Sequence, residues 1–148
     1  MKVIVCVNDS KESQLALENA VEFVNGTNFE LTLLHALKQK VNHEGNDIIQ
    51  ESSDDTFEKS EELLKNLKEY AEDMLGENAN INNVILGSEN ADPVSSIIEY
   101  VNSKDIEQVF IGHRAMDKKH ERLYGSFAKE MISKSPVPVV VTTTNGSE

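Results

Sequence analysis

Five short apolar runs divide the 148 residues: Val3–Val7, Leu31–His35, Asn83–Leu86, Val109–Ile111 and Val137–Val141. They are rich in Val, Ile and Leu and mostly do not alternate with polar positions. A strand with one wet face would alternate. A strand covered on both faces carries apolar side chains on each, which is the pattern of a parallel sheet.

Helical patterns fill the intervals. Leu17, Ala20, Val21 and Val24 recur at helical spacing, and Asp9, three residues before Glu12, predicts a capping box at the start of that helix. The longest helix is expected from about Asp54 to Leu75, with Leu63, Leu67, Tyr70, Ala71 and Met74 on one face and Gly76 as its C-terminal stop. Asp92-Pro93 reads as an N-cap followed by proline at the first helical position, with Val94, Ile97, Ile98 and Val101 as the buried stripe. A fourth helix is expected from Ser126 to about Lys134, ended by Pro136 and Pro138, which lead into the last strand. The alternation of strand and helix predicts an α/β domain: an open five-stranded parallel sheet with helices on both faces and right-handed crossovers. The segment from Leu37 to Ser53 is polar and without apolar period, and reads as a mobile surface loop. The domain is expected over residues 1–144, with 145–148 a frayed tail.

In such sheets ligands bind beyond the carboxyl ends of the strands, where strand order reverses. The residues placed there are Asn8-Asp9, His35-Ala36 and the stretch from Gly112 onward. Gly112-His113-Arg114-Ala115 follows the fourth apolar run, and Gly125-Ser126 comes nine residues later, where the last helix is expected to open. A strand, a loop and a helix N-terminus in that order can cradle an anion, through loop amides and the positive end of the helix dipole.

The charge distribution points the same way. The chain carries a formal charge of −12, which argues against non-specific nucleic-acid binding. Yet from Arg114 to Lys134 there are six basic residues against three acidic ones. That island coincides with the proposed cradle, although a solvated basic face would account for it equally well. The single cysteine, Cys6, allows no internal disulfide and fits a reducing, cytoplasmic setting as a buried, inert residue. No apolar segment has membrane-spanning length.

Several of these stretches together resemble one family, the universal stress proteins. They are Val5 to Ser10, Leu31-Thr-Leu-Leu-His35, the Asp92-Pro93 helix start, and Ser135-Pro-Val-Pro-Val-Val-Val141. Nucleotide-binding members carry Gly-x2-Gly-x9-Gly-Ser/Thr after the fourth strand. This chain keeps the spacing from Gly112 to Ser126 but has Ala115 in place of the second glycine. The resemblance implies strand order 3-2-1-4-5, an adenine-nucleotide alpha-hydrolase-like, Rossmann-like fold, and ATP or a related adenine nucleotide as ligand, with Mg2+ as an accompanying ion. It also implies a homodimer through the last strand, Val137–Thr143, and a role in stress survival.

Carried over by residue, Gly112 and Gly125 would let backbone approach the phosphates, and Ser126 would meet one with its hydroxyl and amide. Val7, Ala36 and Ile111 would border the base. Asn8 stands where binding members have an aspartate near the nucleoside. Asp9 could compensate for it or simply cap the first helix, and Arg114 could reach phosphate or solvent. His113, in the same loop, and Phe127, after Ser126, complete the candidate set. An alanine forced into the left-handed region costs about 1–2 kcal/mol relative to glycine, enough to weaken binding roughly tenfold.

Three other readings compete. A phosphoacceptor receiver would need an aspartate ending the third strand and a lysine ending the fifth; Leu86-Gly87-Ser88 and Thr142-Thr143-Thr144 stand there instead. An enzyme could use His35, His113 or His120 with Ser10 or Ser126, but no nucleophile elbow, metal-binding His-Glu-x-x-His or P-loop is present. His35 at a strand end reads as a hydrogen-bonded structural histidine, and any ATP hydrolysis as slow and incidental. The third is a family member that binds no nucleotide and serves as a dimeric interaction module, supported by Ala115, Asn8 and the bulk of Phe127.

Overall fold

The computed structural model describes residues 1–38, 50–76, 79–88, 93–114 and 121–144. Its elements alternate: β1 (Lys2–Cys6), α1 (Lys11–Val24), β2 (Glu30–Lys38), α2 (Gln50–Leu75), β3 (Ile81–Ser88), α3 (Pro93–Ser103), β4 (Gln108–Arg114), α4 (Glu121–Lys134) and β5 (Val139–Thr144). All strand pairs are parallel, and the order across the sheet is β3-β2-β1-β4-β5. Both the fold class and the strand order expected from the sequence are found. The Asp92 cap, Ala115, most of the polar segment after Leu37, and the 145–148 tail lie outside the described residues.

The two-sided strands sort their side chains by parity. Val3, Val5, Leu31, Leu33 and Phe110 face one way, under Leu17, Ala20 and Val21 of α1 and Leu64 and Ala71 of α2. Ile4, Leu34, Val109 and Ile111 face the other way, under Val94, Ile97 and Val101 of α3 and Ala128 and Met131 of α4. Each of these aliphatic side chains contributes roughly 1.5–3 kcal/mol by leaving water.

Element ends differ from expectation where backbone pairing outruns the apolar signal. β3 extends to eight residues because each pairs with β2, from Leu31↔Ile81 to Lys38↔Ser88, although Asn82 and Asn83 are exposed. The same register keeps Leu37 and Lys38 in β2 rather than in the polar loop. β5 begins at Val139, not Val137, since the proline at 138 has no N–H to give the ladder. Its carbonyl still accepts from Val109 at 3.0 Å.

The helices bring two corrections. Ser10, not Asp9, caps α1: its hydroxyl accepts the Ser13 amide at 3.2 Å, and Asp9 is exposed. In α2 the buried stripe is Ser60, Leu64 and Ala71, flanked by half-buried Leu67 and Leu75, rather than the face through Leu63, Tyr70 and Met74. Small Ser60 and Ala71 let the helix close on the sheet. Tyr70 turns outward and donates its hydroxyl to Glu18 of α1 at 2.7 Å. That acceptor, a charged carboxylate, raises the phenol's pKa above its ordinary value. Gly76 ends α2 with φ of +84°, the left-handed stop expected of it.

The tightest contact between layers is at Gly112 in β4. A Cβ there would lie 2.3 Å from the Glu12 carbonyl oxygen and 2.8 Å from the Ser13 nitrogen, both in the first turn of α1. These are backbone atoms of a packed helix and cannot swing aside. Gly112→Ala should therefore cost about 1–3 kcal/mol or more through overpacking. A melting temperature lowered by several degrees checks it, and an unchanged one would show that α1 slides freely over β4.

Candidate functional site

Strand order reverses between β1 and β4, and there the carboxyl ends of the strands diverge and leave a crevice. A cavity of about 190 Å³ occupies it. Its floor is the ends of β1, β2 and β4, through Val7, Asn8, Ala36 and Gly112, and its sides are Pro93 and Ile97 of α3 and Phe127 of α4. Whole ligand sites more often enclose about 300–1,000 Å³. This one suits a single ring system rather than an entire nucleotide.

The β1–α1 turn is held by a closed set of hydrogen bonds. The Asn8 amide donates to Ser13 Oγ at 2.8 Å, the Ser13 amide donates to Ser10 Oγ at 3.2 Å, and the Ser10 hydroxyl donates to Asn8 Oδ1. Ser13 is buried and all three residues line the cavity. On the neighbouring strand, His35 Nδ1 lies 2.7 Å from the Val7 carbonyl. A carbonyl only accepts, so Nδ1 carries the proton and a neutral ring keeps its lone pair on Nε2. His35 thus ties the end of β2 to the end of β1, the structural role expected of it. The Ser10 hydroxyl goes to Asn8 and not to a histidine, which leaves it without the base that a nucleophile needs.

The cavity unites five of the candidate residues. Val7, Asn8, Ala36, Gly112 and Phe127 line it. Ile111 is fully buried in the core beneath α3 and α4, and does not. Asp9 is exposed on the turn, outside the lining. His113 is half-buried opposite Thr143, and Arg114 opposite Thr144, both in the β4–β5 ladder. Gly125 and Ser126 lie in the second turn of α4, which starts at Glu121 rather than at Ser126. The amides without partners within α4 therefore belong to residues 121–124, while those of Gly125 and Ser126 turn back on the preceding turn. Gly112 has a role the motif did not announce: its bare Cα admits α1.

Sequence reasoning missed Ser13, Pro93 and Ile97 as lining residues because they come from helices far apart in the chain. The Ser10-x-x-Ser13 spacing across a helix start was the one local signal available. Among the described residues no cluster of three or more His, Cys, Asp or Glu could hold a metal ion, and no helix is long and apolar enough to cross a membrane. Of the basic island, Lys134 pairs with Glu130 at 3.6 Å on the surface of α4.

Cys6 also lines the cavity, and burial pushes its thiol from an ordinary 9.0 up to about 12. The folded state thus holds the neutral thiol where the unfolded chain releases its proton. The resulting stability is complete below about pH 9 and is lost progressively between about pH 9 and pH 12. Wild-type protein should lose more melting temperature between pH 8 and pH 10 than Cys6→Ala does, and native Cys6 should resist thiol reagents at pH 8. Equal losses in the two proteins would refute the neutral thiol of half-buried Cys6.

Similarity to known proteins agrees with this architecture. The sequence profile of the universal stress protein family matches residues 1–143. Among solved structures, the chain resembles the universal stress protein UspA from Lactobacillus plantarum at 18% identity and a TM-score of 0.79, covering 96% of this chain and 97% of the other. It also resembles an Arabidopsis thaliana universal stress protein family protein with AMP bound, at 18% identity, a TM-score of 0.70 and coverage of 99% and 94%. A third is the universal stress protein from Archaeoglobus fulgidus in complex with dAMP, at 19% identity, a TM-score of 0.64 and coverage of 95% and 96%. Among curated protein sequences nothing matches. A profile that spans nearly the whole chain, on a sheet of the same order, shows that this protein belongs to the universal stress protein family.

Proposed function

We propose that this protein binds an adenine nucleotide in the crevice between β1 and β4, as a regulator that senses ligand occupancy. The carrying observation is the cavity, at the point of strand reversal, lined by Val7, Asn8, Ala36, Gly112 and Phe127. An apolar slot walled by an aromatic ring and edged by an asparagine and a histidine suits a purine, which offers two flat faces and a polar rim. Relatives of the same fold carry AMP, cAMP or dAMP, which supports this ligand class. The phosphates would extend from the slot toward the opening turn of α4, where free amides and the helix dipole favour anions. ATP, with Mg2+ held by its own phosphates, is one such ligand. The lone cysteine supports a reducing, cytoplasmic compartment.

One observation favours the alternative reading, a dimeric interaction module without nucleotide. Helix α4 already begins at Glu121, so the amides of Gly125 and Ser126 are not offered to phosphate. Calorimetry with AMP, and with ATP plus magnesium, separates the two. The wild type should release heat at micromolar to millimolar nucleotide, and Ala36→Leu, which fills the slot, should reduce affinity at least tenfold while the fold persists. No heat from the wild type at millimolar nucleotide would leave the interaction module.

Either reading includes a homodimer. β5 pairs with β4 on one side only, and Val139, Val140 and Val141 are half-buried. An apolar edge strand with its outer N–H and C=O groups unpaired is normally covered. Sedimentation at micromolar concentration should give a dimer, and Val140→Lys should shift it to monomer. A wild-type monomer would refute the pairing.

A further inference from the structure

Helix α1 ends on an asparagine followed by a glycine. Asn25 is its C-cap, with φ of −60° and ψ of 130°, and its backbone N–H donates to the Val21 carbonyl at 2.9 Å. Gly26 follows with φ of +80°, in the left-handed region that glycine enters without steric cost. Both residues are exposed, and a Cβ added to Gly26 would meet nothing within 4 Å. The peptide unit between them is held by no hydrogen bond among the described residues: the Gly26 N–H is given to no acceptor, and the Asn25 carbonyl accepts none. That unit can turn without breaking a contact, and turning it brings the Gly26 nitrogen toward the Asn25 side-chain carbonyl, where a five-membered ring closes. No other described asparagine combines these features. Asn28, also exposed, is followed by Phe29, whose amide is occupied by Thr27 Oγ at 3.1 Å. Asn19, Asn66 and Asn102 lie within helices, where the next amide belongs to the helical ladder.

We propose that Asn25-Gly26 is a site of spontaneous deamidation in the native protein, at which an uncharged helix end becomes a charged one. Hydroxide takes the Gly26 amide proton, the nitrogen attacks Asn25 Cγ, and the Cγ–Nδ2 bond breaks, so that ammonia leaves with a proton from water. Water then adds across one of the two carbonyl–nitrogen bonds of the cyclic imide. Opening on the Cγ side leaves an aspartyl residue at position 25. Opening on the backbone side leaves an isoaspartyl one, with an extra methylene in the main chain. Ammonia is lost and water gained, so no oxidant or reductant takes part. The product carboxylate stands on the rim of a cavity of about 360 Å³ between the ends of α1 and α2, lined by Asn25, Thr27, Leu75 and Asn80 among others. Both helices direct their negative ends toward it, and neither has a basic residue in its last turn. Glu72 and Asp73 line the adjoining hollow. A negative charge is therefore unfavourable here, and the modification loosens the end of α1.

The test incubates the native chain at pH 8 beside a synthetic peptide of residues 22–28. Both are followed by tandem mass spectrometry and by labelling with an isoaspartyl methyltransferase. The native chain should gain one dalton at Asn25, and not at Asn28, at a rate within about tenfold of the free peptide, because an exposed loop opens at almost no cost. Asn25→Gln, whose longer side chain must close a larger ring, should stay unmodified at that position over the same period. Asn25→Asp, which installs the charge outright, should lower the melting temperature by about 1–4 °C while circular dichroism shows the fold intact. Asn145-Gly146 carries the same pair in the same chain, so conversion there with Asn25 intact would overturn the proposal. A native chain intact at both positions after the free peptide has converted would overturn it too. An unchanged melting temperature in Asn25→Asp would overturn the loosening of α1.

Discussion

The first turn of α1 rests directly on β4, backbone against backbone, at the one position in that strand where a side chain is missing. With any Cβ at residue 112 the Glu12 carbonyl would be displaced, and the turn that carries Asn8, Ser10 and Ser13 would move with it. The contact joins the two halves of the sheet at the place where strand order reverses. It lies beside the crevice, which Gly112 and Ser13 both line. Gly112 therefore shapes the wall of the crevice by letting a helix in.

The crevice walls are held by two different devices. Apolar packing on each face of the sheet fixes the strands and the helix axes to within side-chain dimensions, but it is indifferent to the polar groups at the strand ends. Those are fixed by hydrogen bonds that close on themselves: His35 to the Val7 carbonyl, Asn8 to Ser13, Ser13 to Ser10, and Ser10 to Asn8. Groups that satisfy one another in this way lose freedom before any ligand arrives, which lowers the ordering cost of binding. The same economy explains why Ser10 is a poor candidate nucleophile, since its hydroxyl proton is already given to Asn8.

The legible parts of the fold were those in which one physical requirement dominated. Two-sided apolar runs require cover on both faces, and β-α alternation then leaves few topologies. Legibility failed where two residues satisfied the same local rule. Asp9 and Ser10 are both good caps, and only the exit direction of β1, fixed by Asn8 and Ser13, decides between them. On α2 two overlapping stripes share Leu67 and Ala71. The sheet selected the one with small Ser60 and Ala71, which permits close approach, and left Tyr70 to find its partner on α1.

By itself, then, the sequence determined the element order, the parallel sheet, the two cores and the edge of the sheet at which the crevice opens, because apolar burial and chain chirality act through pattern alone. Only the tertiary structure decided which candidate residues share a cavity. Ile111 stands immediately before Gly112 and Phe127 immediately after Ser126, yet one is sealed in the core and the other walls the crevice. Strand parity and helix rotation separate them, and both depend on how distant elements pack against each other.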